Sequence, residues 1–130
     1  MSRPTRDRGS IAVSMVLLLV LVLAGGGLVL DGGRAMAARR HAANIAEAAA
    51  RVAVSTASPV EPFDMATARE LAIDFAARAG IPAQDVAVVV TPDVVTVTIT
   101  ERRRAVFLAF GGVATMTVHA TGHARVVFSG

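Results

Sequence analysis

The feature that most restricts this fold is a run of twenty residues without a charged side chain, from Ile11 to Leu30. A helix of that length spans about 30 Å, which matches the hydrocarbon core of a bilayer. Thirteen of these residues are Leu, Val or Ile, so transfer of the helix into lipid is favourable by roughly 4 to 8 kcal/mol. The run therefore predicts a transmembrane helix and a single-pass membrane protein.

A cleaved signal peptide is the alternative to a retained anchor, because Ala35-Met36-Ala37 offers a small-residue cleavage site. The apolar run is longer than the roughly 7 to 15 residues of a signal peptide. In addition, Asp31 and Arg34 lie between the run and the site. The sequence therefore favours a retained anchor.

Charge alone does not orient the anchor in the membrane. Three arginines precede it within residues 1–10, and three more follow it within residues 34–40. The positive-inside rule counts both sides and gives a near tie. We expect the folded part on the C-terminal side, since about ten residues are too few to form a domain.

A second helical segment follows, because no helix breaker stands between Arg34 and Ser55. Its small apolar residues recur every three or four positions and form one stripe, the helix-packing seam: Ala35, Ala38, Ala42, Ile45, Ala49 and Val52. Such a seam suits close packing, either on the protein's own sheet or on another subunit. We therefore expect one long helix that leaves the membrane.

The junction of the two helical segments resembles a known family. Residues 28–35 read LVLDGGRA, and Arg39-Arg40 and the stretch AANIAEAAA at 42–50 follow. This combination resembles the N-terminal region of TadE/TadG-like proteins of the Flp (Tad) pilus assembly system. The resemblance covers about the first fifty residues. It implies a pseudopilin-like membrane component whose C-terminal part lies outside the cytoplasm.

Two pairs of residues near the anchor are candidate functional positions. Gly9 and Ser10 resemble a prepilin-peptidase boundary, although Ser14 stands where the pilin-type pattern has Glu. Asp31 ends the apolar run and Arg34 follows at i+3, so the two predict an interfacial ion pair or a contact with a neighbouring subunit. The alternative for Asp31 and Arg34 is ordinary termination of a membrane segment by polar residues.

The C-terminal part begins with a connector rich in Ser, Thr and Pro at 55–62. Asp64 is a good N-cap for a second helix, which Gly80 ends. The predicted apolar face of this helix consists of Ala68, Leu71, Ala72, Phe75 and Ala79.

Three strands are predicted after this helix. Residues 86–90 form an apolar strand, 91–93 a turn, and 95–100 alternate apolar residues with Thr. In the third strand one face is apolar and comprises Met116, Val118, Ala120, Gly122, Ala124, Val126 and Phe128. Its other face carries Thr115, Thr117, His119, Thr121, His123 and Arg125.

The segment between the second and third strands is ambiguous. Ala105–Phe110 is apolar but too short to cross a bilayer, so it is either a short core helix or a patch at the membrane interface. The three arginines at 102–104 before it are either a solvated turn or a contact for anionic headgroups or an acidic partner.

The predicted fold class is therefore α+β. A transmembrane helix continues into an Ala-rich amphipathic helix, and a further helix then packs on a small three-stranded antiparallel sheet. The expected division is a cytoplasmic segment at 1–10, the span at 11–30, a helical stalk at 31–55 and an extracytoplasmic domain at 56–130.

No catalytic, cofactor or metal site is predicted. The chain has no Cys, and it lacks the nucleophile, zinc-protease and phosphate-loop motifs. His119 and His123 would lie about 13 Å apart on a strand, too far to share an ion. His41 has no acidic or histidine partner at i±4, so it is expected to be an exposed polar residue.

Nucleic-acid binding is not expected either. After the first eight residues the chain carries ten Arg against nine acidic residues, and it has no Trp or Tyr to stack on bases. No small-molecule substrate is indicated.

These observations predict a non-enzymatic, membrane-anchored structural or assembly protein. Its expected partners are the lipid bilayer and other membrane or pilus-assembly subunits. The alternative is a membrane-tethered or secreted module that binds cell-wall polymer or an extracellular ligand through the Thr, His and Arg face of the third strand.

Overall fold

The computed structural model describes residues 7–127, so Phe128 and the first six residues of the predicted N-terminal segment lie outside the described range. The main elements are the helices α1 (Asp7–Val54) and α2 (Met65–Arg78) and the strands β1 (Val86–Val90), β2 (Val94–Arg104) and β3 (Thr115–Arg125). Short 3-10 helices occupy Ala83–Asp85 and Leu108–Gly111. The predicted α+β class is confirmed.

Helix α1 is uninterrupted over 48 residues and is therefore about 72 Å long at 1.5 Å per residue. It contains no proline, and it is rich in Ala and Leu, which favour the helical conformation. It ends where the hydroxyls of Ser55 and Thr56 bond back to carbonyls three residues earlier. The predicted membrane segment and the Ala-rich helix are thus two halves of one rod.

The first half of α1 is both apolar and exposed. Every Ile, Val, Leu and Met side chain from Ile11 to Leu23 is more than half exposed. Within the described residues, α1 is the one helix that is long and apolar enough to cross a membrane by length and composition. The first half of the rod is therefore compatible with a single-pass anchor.

The sheet is antiparallel with the strand order β1-β2-β3. Val88 pairs with Val97, and Ile99 pairs with Ala120. The β1–β2 turn is closed by Thr91, whose backbone N–H and hydroxyl both donate to the carbonyl of Val94. The alternation predicted for 95–100 and for β3 is confirmed, because one face of each strand is buried and the other carries Thr and His.

Strand β2 is longer than the sequence pattern indicates. A solvated turn is one of the two alternatives that the sequence leaves for Arg102, Arg103 and Arg104, but they lie on the strand and pair with residues 117, 116 and 115 of β3. Their side chains are exposed, so the end of the strand accepts three charges without desolvating them. The alternative of a solvated turn at 102–104 is therefore wrong.

Helix α2 forms where the pattern predicts it. Asp64 caps its N-terminus by accepting bonds from the backbone N–H groups of Ala66 and Thr67. The hydroxyl of Thr67 also donates to Asp64. This hydrogen bond is the largest cause that lowers the pKa of the Asp64 carboxyl, followed by the bonds from the two amides. Gly80 follows the helix with φ of 89°, a conformation that favours glycine.

The buried face of α2 differs slightly from the predicted one. Ala68 and Ala72 are buried as expected, and Leu71 and Phe75 are half-buried. Ala79 was expected on this face, but it is the exposed C-cap residue, and Ala76 one turn earlier is buried instead. The helix packs on α1 and β1.

The core is formed between the second half of α1, α2 and the inner face of the sheet. Its fully buried β-branched residues are Val95, Val97 and Ile99 of β2. In the predicted seam, Ala38, Ala42, Ile45 and Ala49 are buried and Ala35 and Val52 are half-buried. The sequence leaves two alternatives for the seam, packing on the protein's own sheet and packing on another subunit. In the structure the seam packs on the protein's own sheet.

This packing also bears on the expected division of the chain at residue 55. Ala42 and Ala49 belong to the same buried cluster as Val97. A stalk at 31–55 and a separate domain at 56–130 do not follow the packing, because a fragment starting at residue 56 would lack one side of its core. The globular part therefore includes the second half of α1.

Gly122 determines how closely α1 lies against β3. A Cβ atom at this position would lie 2.3 Å from the backbone nitrogen of Glu47 and 2.4 Å from the carbonyl carbon of Ala46. These backbone atoms belong to the hydrogen-bonded interior of α1 and cannot move independently. Only glycine allows this approach.

We predict that Gly122→Ala destabilises the globular part by about 1 to 3 kcal/mol, the usual cost of overpacking a core. Gly111→Ala is the matched control, because a Cβ there meets nothing within 4 Å. Equilibrium unfolding of the full chain in a mild detergent measures both changes. Equal stability of the two variants would contradict the close approach of α1 and β3.

Candidate membrane-proximal site

The side chains that link the anchor to the globular part lie on one face of α1, near the end of the apolar run. Gly27 and Asp31 are four residues apart and therefore share a helix face. Both are buried, in contrast to the exposed residues around them in the first half of α1. Both face the segment between β2 and β3, the tip loop (residues 105–114).

Asp31 binds the backbone of the tip loop with both carboxylate oxygens. Oδ1 accepts from the N–H of Val106 at 3.1 Å, and Oδ2 accepts from Phe107 at 2.9 Å and Leu108 at 2.8 Å. These amides lie at the N-terminal end of the 3-10 helix Leu108–Gly111, where backbone donors have no partner within the helix. One side chain thus satisfies three donors and closes the loop on α1.

The charge of Asp31 is stabilised by the same contacts. Asp31 lies one residue beyond the predicted span, and the hydrogen bond from Leu108 is the largest effect lowering its pKa. Burial opposes the shift, while the amides of Val106 and Phe107 and the positive charge of Arg34 add to it. Asp31 is therefore an ionised anchor for the loop.

The structure also places the other candidate residues of this region. Arg34 is exposed, and the ion pairs of the described residues do not include Asp31 with Arg34. Gly9 and Ser10 lie in the first turns of α1. A processing site at Gly9 and Ser10 and a subunit contact at Asp31 or Arg34 stay predictions.

Gly27 makes the second contact with the tip loop. A Cβ atom at Gly27 would lie 2.3 Å from Cγ and 2.7 Å from Cβ of Phe107. The ring therefore rests directly on the helix backbone. Gly25 and Gly26 meet nothing within 4 Å, so only one residue of the glycine run has a packing role within the described chain.

The tip loop presents an apolar surface beside the anchor. Phe110 is 90% exposed, and Val106, Phe107 and Val113 are each more than one third exposed. Because Phe107 contacts Gly27, which belongs to the apolar run 11–30, the tip reaches the level of that run. Of the two alternatives for Ala105–Phe110, a core helix and an interfacial patch, the exposure favours the patch.

A basic cleft lies on the domain side of Asp31. It has a volume of about 500 Å³ and is lined by Arg34, Ala37, Ala38, His41, Arg103 and Arg104. Two of the lining residues share a buried partner, Glu101, which is bonded to Nδ1 of His41 at 2.9 Å and to Arg103 at 3.1 Å. The cleft therefore joins cations from α1 and from the end of β2.

His41 differs from its sequence interpretation. It is exposed, as expected, but it has an acidic partner in Glu101, sixty residues away along the chain. The positions i±4 on the same helix do not include this partner, because it lies on the facing strand β2. No local signal in the sequence connects the two residues.

The outer face of the sheet carries a row of hydrogen-bonded polar pairs. His123 bonds to Thr96, His119 bonds to Thr100, and Thr121 bonds to Thr98 between them. His119 and His123 thus lie on a strand, as predicted. Within residues 7–127, no group of three or more His, Cys, Asp or Glu side chains is arranged to hold a metal ion.

Comparison with known proteins finds a family similarity in the first part of the chain. Residues 9–57 match the Flp pilus-assembly TadE/G-like family, a match that runs from the start of the apolar segment to just beyond α1. No curated protein and no solved structure matches the chain. The resemblance predicted from the sequence is confirmed for these residues, which are similar to a family of Flp pilus assembly.

We predict that Gly27→Ala displaces Phe107 and loosens the tip loop. Local overpacking of about 1 to 3 kcal/mol corresponds to roughly 5- to 150-fold faster amide exchange at residues 106–113. The control is Gly25→Ala, which adds the same methyl group two residues away in open space. Hydrogen exchange of the full chain in detergent measures both, and unchanged exchange in Gly27→Ala would contradict the packing.

Asp31→Ala should release the same loop through a different cause, the loss of its three hydrogen bonds. We expect exchange at residues 106–108 to rise by roughly ten-fold or more, with little change in β1. Asp74→Ala, which removes an exposed aspartate on α2, is the control. Because the pKa of Asp31 is lowered, the wild type should lose this protection only as the pH falls below the ordinary value of 3.8. If neither Asp31→Ala nor low pH altered the amide-exchange protection of residues 106–108, Asp31 would not be the residue that holds the loop.

Proposed function

We propose that this chain is a pseudopilin-like structural component of a Flp/Tad-type pilus or secretion apparatus, held in the membrane by the first half of α1. The observation that carries the proposal is the continuity of α1. Its first half is apolar and exposed, and its second half forms part of the globular core. The family match covers this same rod.

The exposed band of α1 supports membrane anchorage and contacts with other membrane subunits. Leu, Val and Ile side chains project on every side of the helix from Ile11 to Leu23. In water such a surface would be strongly unfavourable, so lipid or other apolar helices must cover it. Within the apparatus we assign both, with lipid on one side and neighbouring subunits on another.

The links at Gly27 and Asp31 support a mechanical role. A globular part joined to its anchor only through α1 could tilt by bending the helix. The tip loop provides a second attachment, since it rests on Gly27 and is bonded to Asp31. A displacement of the membrane helix is therefore passed directly to the external part, as an assembly component requires.

We assign residues 1–10 to the cytoplasm, residues 11–30 to the membrane and the remainder to the outside. Retention of the anchor is supported by the tip loop. Cleavage after Ala37 would remove both Gly27 and Asp31 and leave the three loop amides without their partner. Processing after Gly9, in contrast, would leave the span and the loop contacts intact.

A second function has a structural observation in its favour. The outer face of the sheet is not covered by any other element of the described chain, and its Thr and His pairs form a flat polar surface. Such a surface offers donors and acceptors in a regular row, which suits a carbohydrate polymer. The corresponding function is a membrane-tethered module that binds cell-wall polymer.

In-cell photo-crosslinking tests the first proposal. A photoreactive residue is placed in turn at Leu17, Leu18 and Leu19, which together sample most of the helix circumference, and at Thr98 on the outer face of the sheet. We expect at least one of the three helix positions to crosslink to another apparatus subunit, and cells without those subunits provide the control.

The same experiment separates the two functions. Helix positions that capture only lipid, together with capture of cell-wall polymer at Thr98, would contradict the assembly role and favour the binding module. Positions such as Ala42 and Ala49 are unsuitable for this test. They are core residues, so their replacement would disturb folding before it affected a subunit contact.

A further inference from the structure

The basic cleft between α1 and β2 contains cations whose charge is not neutralised by the described chain. Glu101 is already bonded to His41 and Arg103, and Asp31 is bonded to three amides. Within residues 7–127, neither Arg34 nor Arg104 lies within ion-pair distance of a carboxylate. The two arginines thus converge on the cleft and remain available for an anion.

The position of the cleft along α1 matches the headgroup layer of a bilayer. Arg34 lies four residues beyond Leu30, which is about 6 Å along the helix axis. The polar layer on each side of the hydrocarbon core is about 5 to 8 Å thick. With the apolar run spanning the hydrocarbon, Arg34 is therefore at the level of the lipid phosphates.

The surroundings of the cleft suit the rest of a lipid molecule. Toward the membrane the cleft is followed by Asp31, and then by the contact between Gly27 and Phe107. The exposed tip residues Val106 and Phe110 flank this path. A molecule with an anionic head in the cleft would have its apolar tails beside the tip loop and α1.

We propose that this cleft binds the headgroup of an anionic phospholipid, with Arg34 and Arg104 contacting the phosphate. Arg103 also lines the cleft, where it is bonded to Glu101. The volume of about 500 Å³ lies within the roughly 300 to 1,000 Å³ of typical ligand sites. The inference rests on the membrane anchorage of the proposed function, and it adds a defined lipid contact that fixes the depth of the globular part.

Native mass spectrometry of the full chain tests this site. The protein in a mild non-ionic detergent is titrated with phosphatidylglycerol or with phosphatidylcholine, and the bound lipids are counted. We expect tighter binding of phosphatidylglycerol. The double variant Arg34→Gln/Arg104→Gln should weaken it about 30-fold, since each arginine near an anionic lipid surface contributes a factor of about 5. Phosphatidylcholine binding should change little.

The matched control is Arg39→Gln/Arg40→Gln, which removes two exposed arginines of α1 that do not line this cleft. This control should weaken phosphatidylglycerol binding by less than about 3-fold, because Arg39 and Arg40 contribute only a long-range attraction to the anionic lipid. Amide exchange of β3 verifies that both double variants are folded.

Three results would contradict the proposed lipid site. Equal losses in the two double variants would indicate diffuse attraction, equal binding of the two lipids would exclude headgroup selectivity, and inorganic phosphate binding as tightly as the lipid would indicate a free-anion site. Fractionation separates this failure from that of the proposed function. A wild-type chain that leaves the membrane fraction refutes the anchorage, whereas an anchored chain without lipid preference refutes only the cleft.

Discussion

A helix can lie against a sheet only as closely as the side chains between them allow, and here those side chains are mostly Ala and Gly. The buried face of α1 over its second half contains Ala42, Ala46, Ala49, Ala50 and Ala53. Opposite this face, Gly122 lets the helix backbone approach the strand directly. The helix backbone contacts the strand backbone at Gly122, so this contact determines where α1 lies along β3. The contacts between the sheet and the preceding part of α1 depend on this position.

The position of α1 along β3 explains why the membrane end of the domain meets α1 where it does. β2 runs alongside the helix toward the anchor, so Glu101 reaches His41 and the tip loop reaches Asp31. Phe107 packs on Gly27, but Phe110 and the Val residues of the loop are exposed, so few large apolar side chains hold the loop at this end. Hydrogen bonds from three amides to one carboxylate take that role, and bonds to a charged group are stronger than neutral ones. A buried charge is acceptable here because three N–H donors are hydrogen-bonded to it.

Local sequence patterns predict most of the helices and strands, but they do not predict the contacts between these elements. The alternation at 95–100 and the capping residue Asp64 predict β2 and α2 correctly, because each depends on neighbours within a few residues. The end of β2 at Arg104 is not predicted, because three consecutive arginines are also typical of a solvated turn. In the structure, pairing with β3 extends the strand through them. Asp31 was recognised as unusual, yet its partners lie 75 to 77 residues away. Similarly, only the packed structure distinguishes Gly27 from Gly25 and Gly26.

The chemistry along α1 follows the profile of a bilayer from its hydrocarbon to its polar surface. The exposed Leu and Val residues come first, then Gly27 with an aromatic ring against it, then the carboxylate of Asp31 shielded by loop amides, and then Arg34. A negative charge this close to hydrocarbon would be costly if it were exposed to lipid, and the tip loop covers it. The same loop turns its own apolar residues outward. The loop therefore resembles a membrane-facing surface more than a connection between strands, which agrees with the membrane anchorage that we propose for the first half of α1.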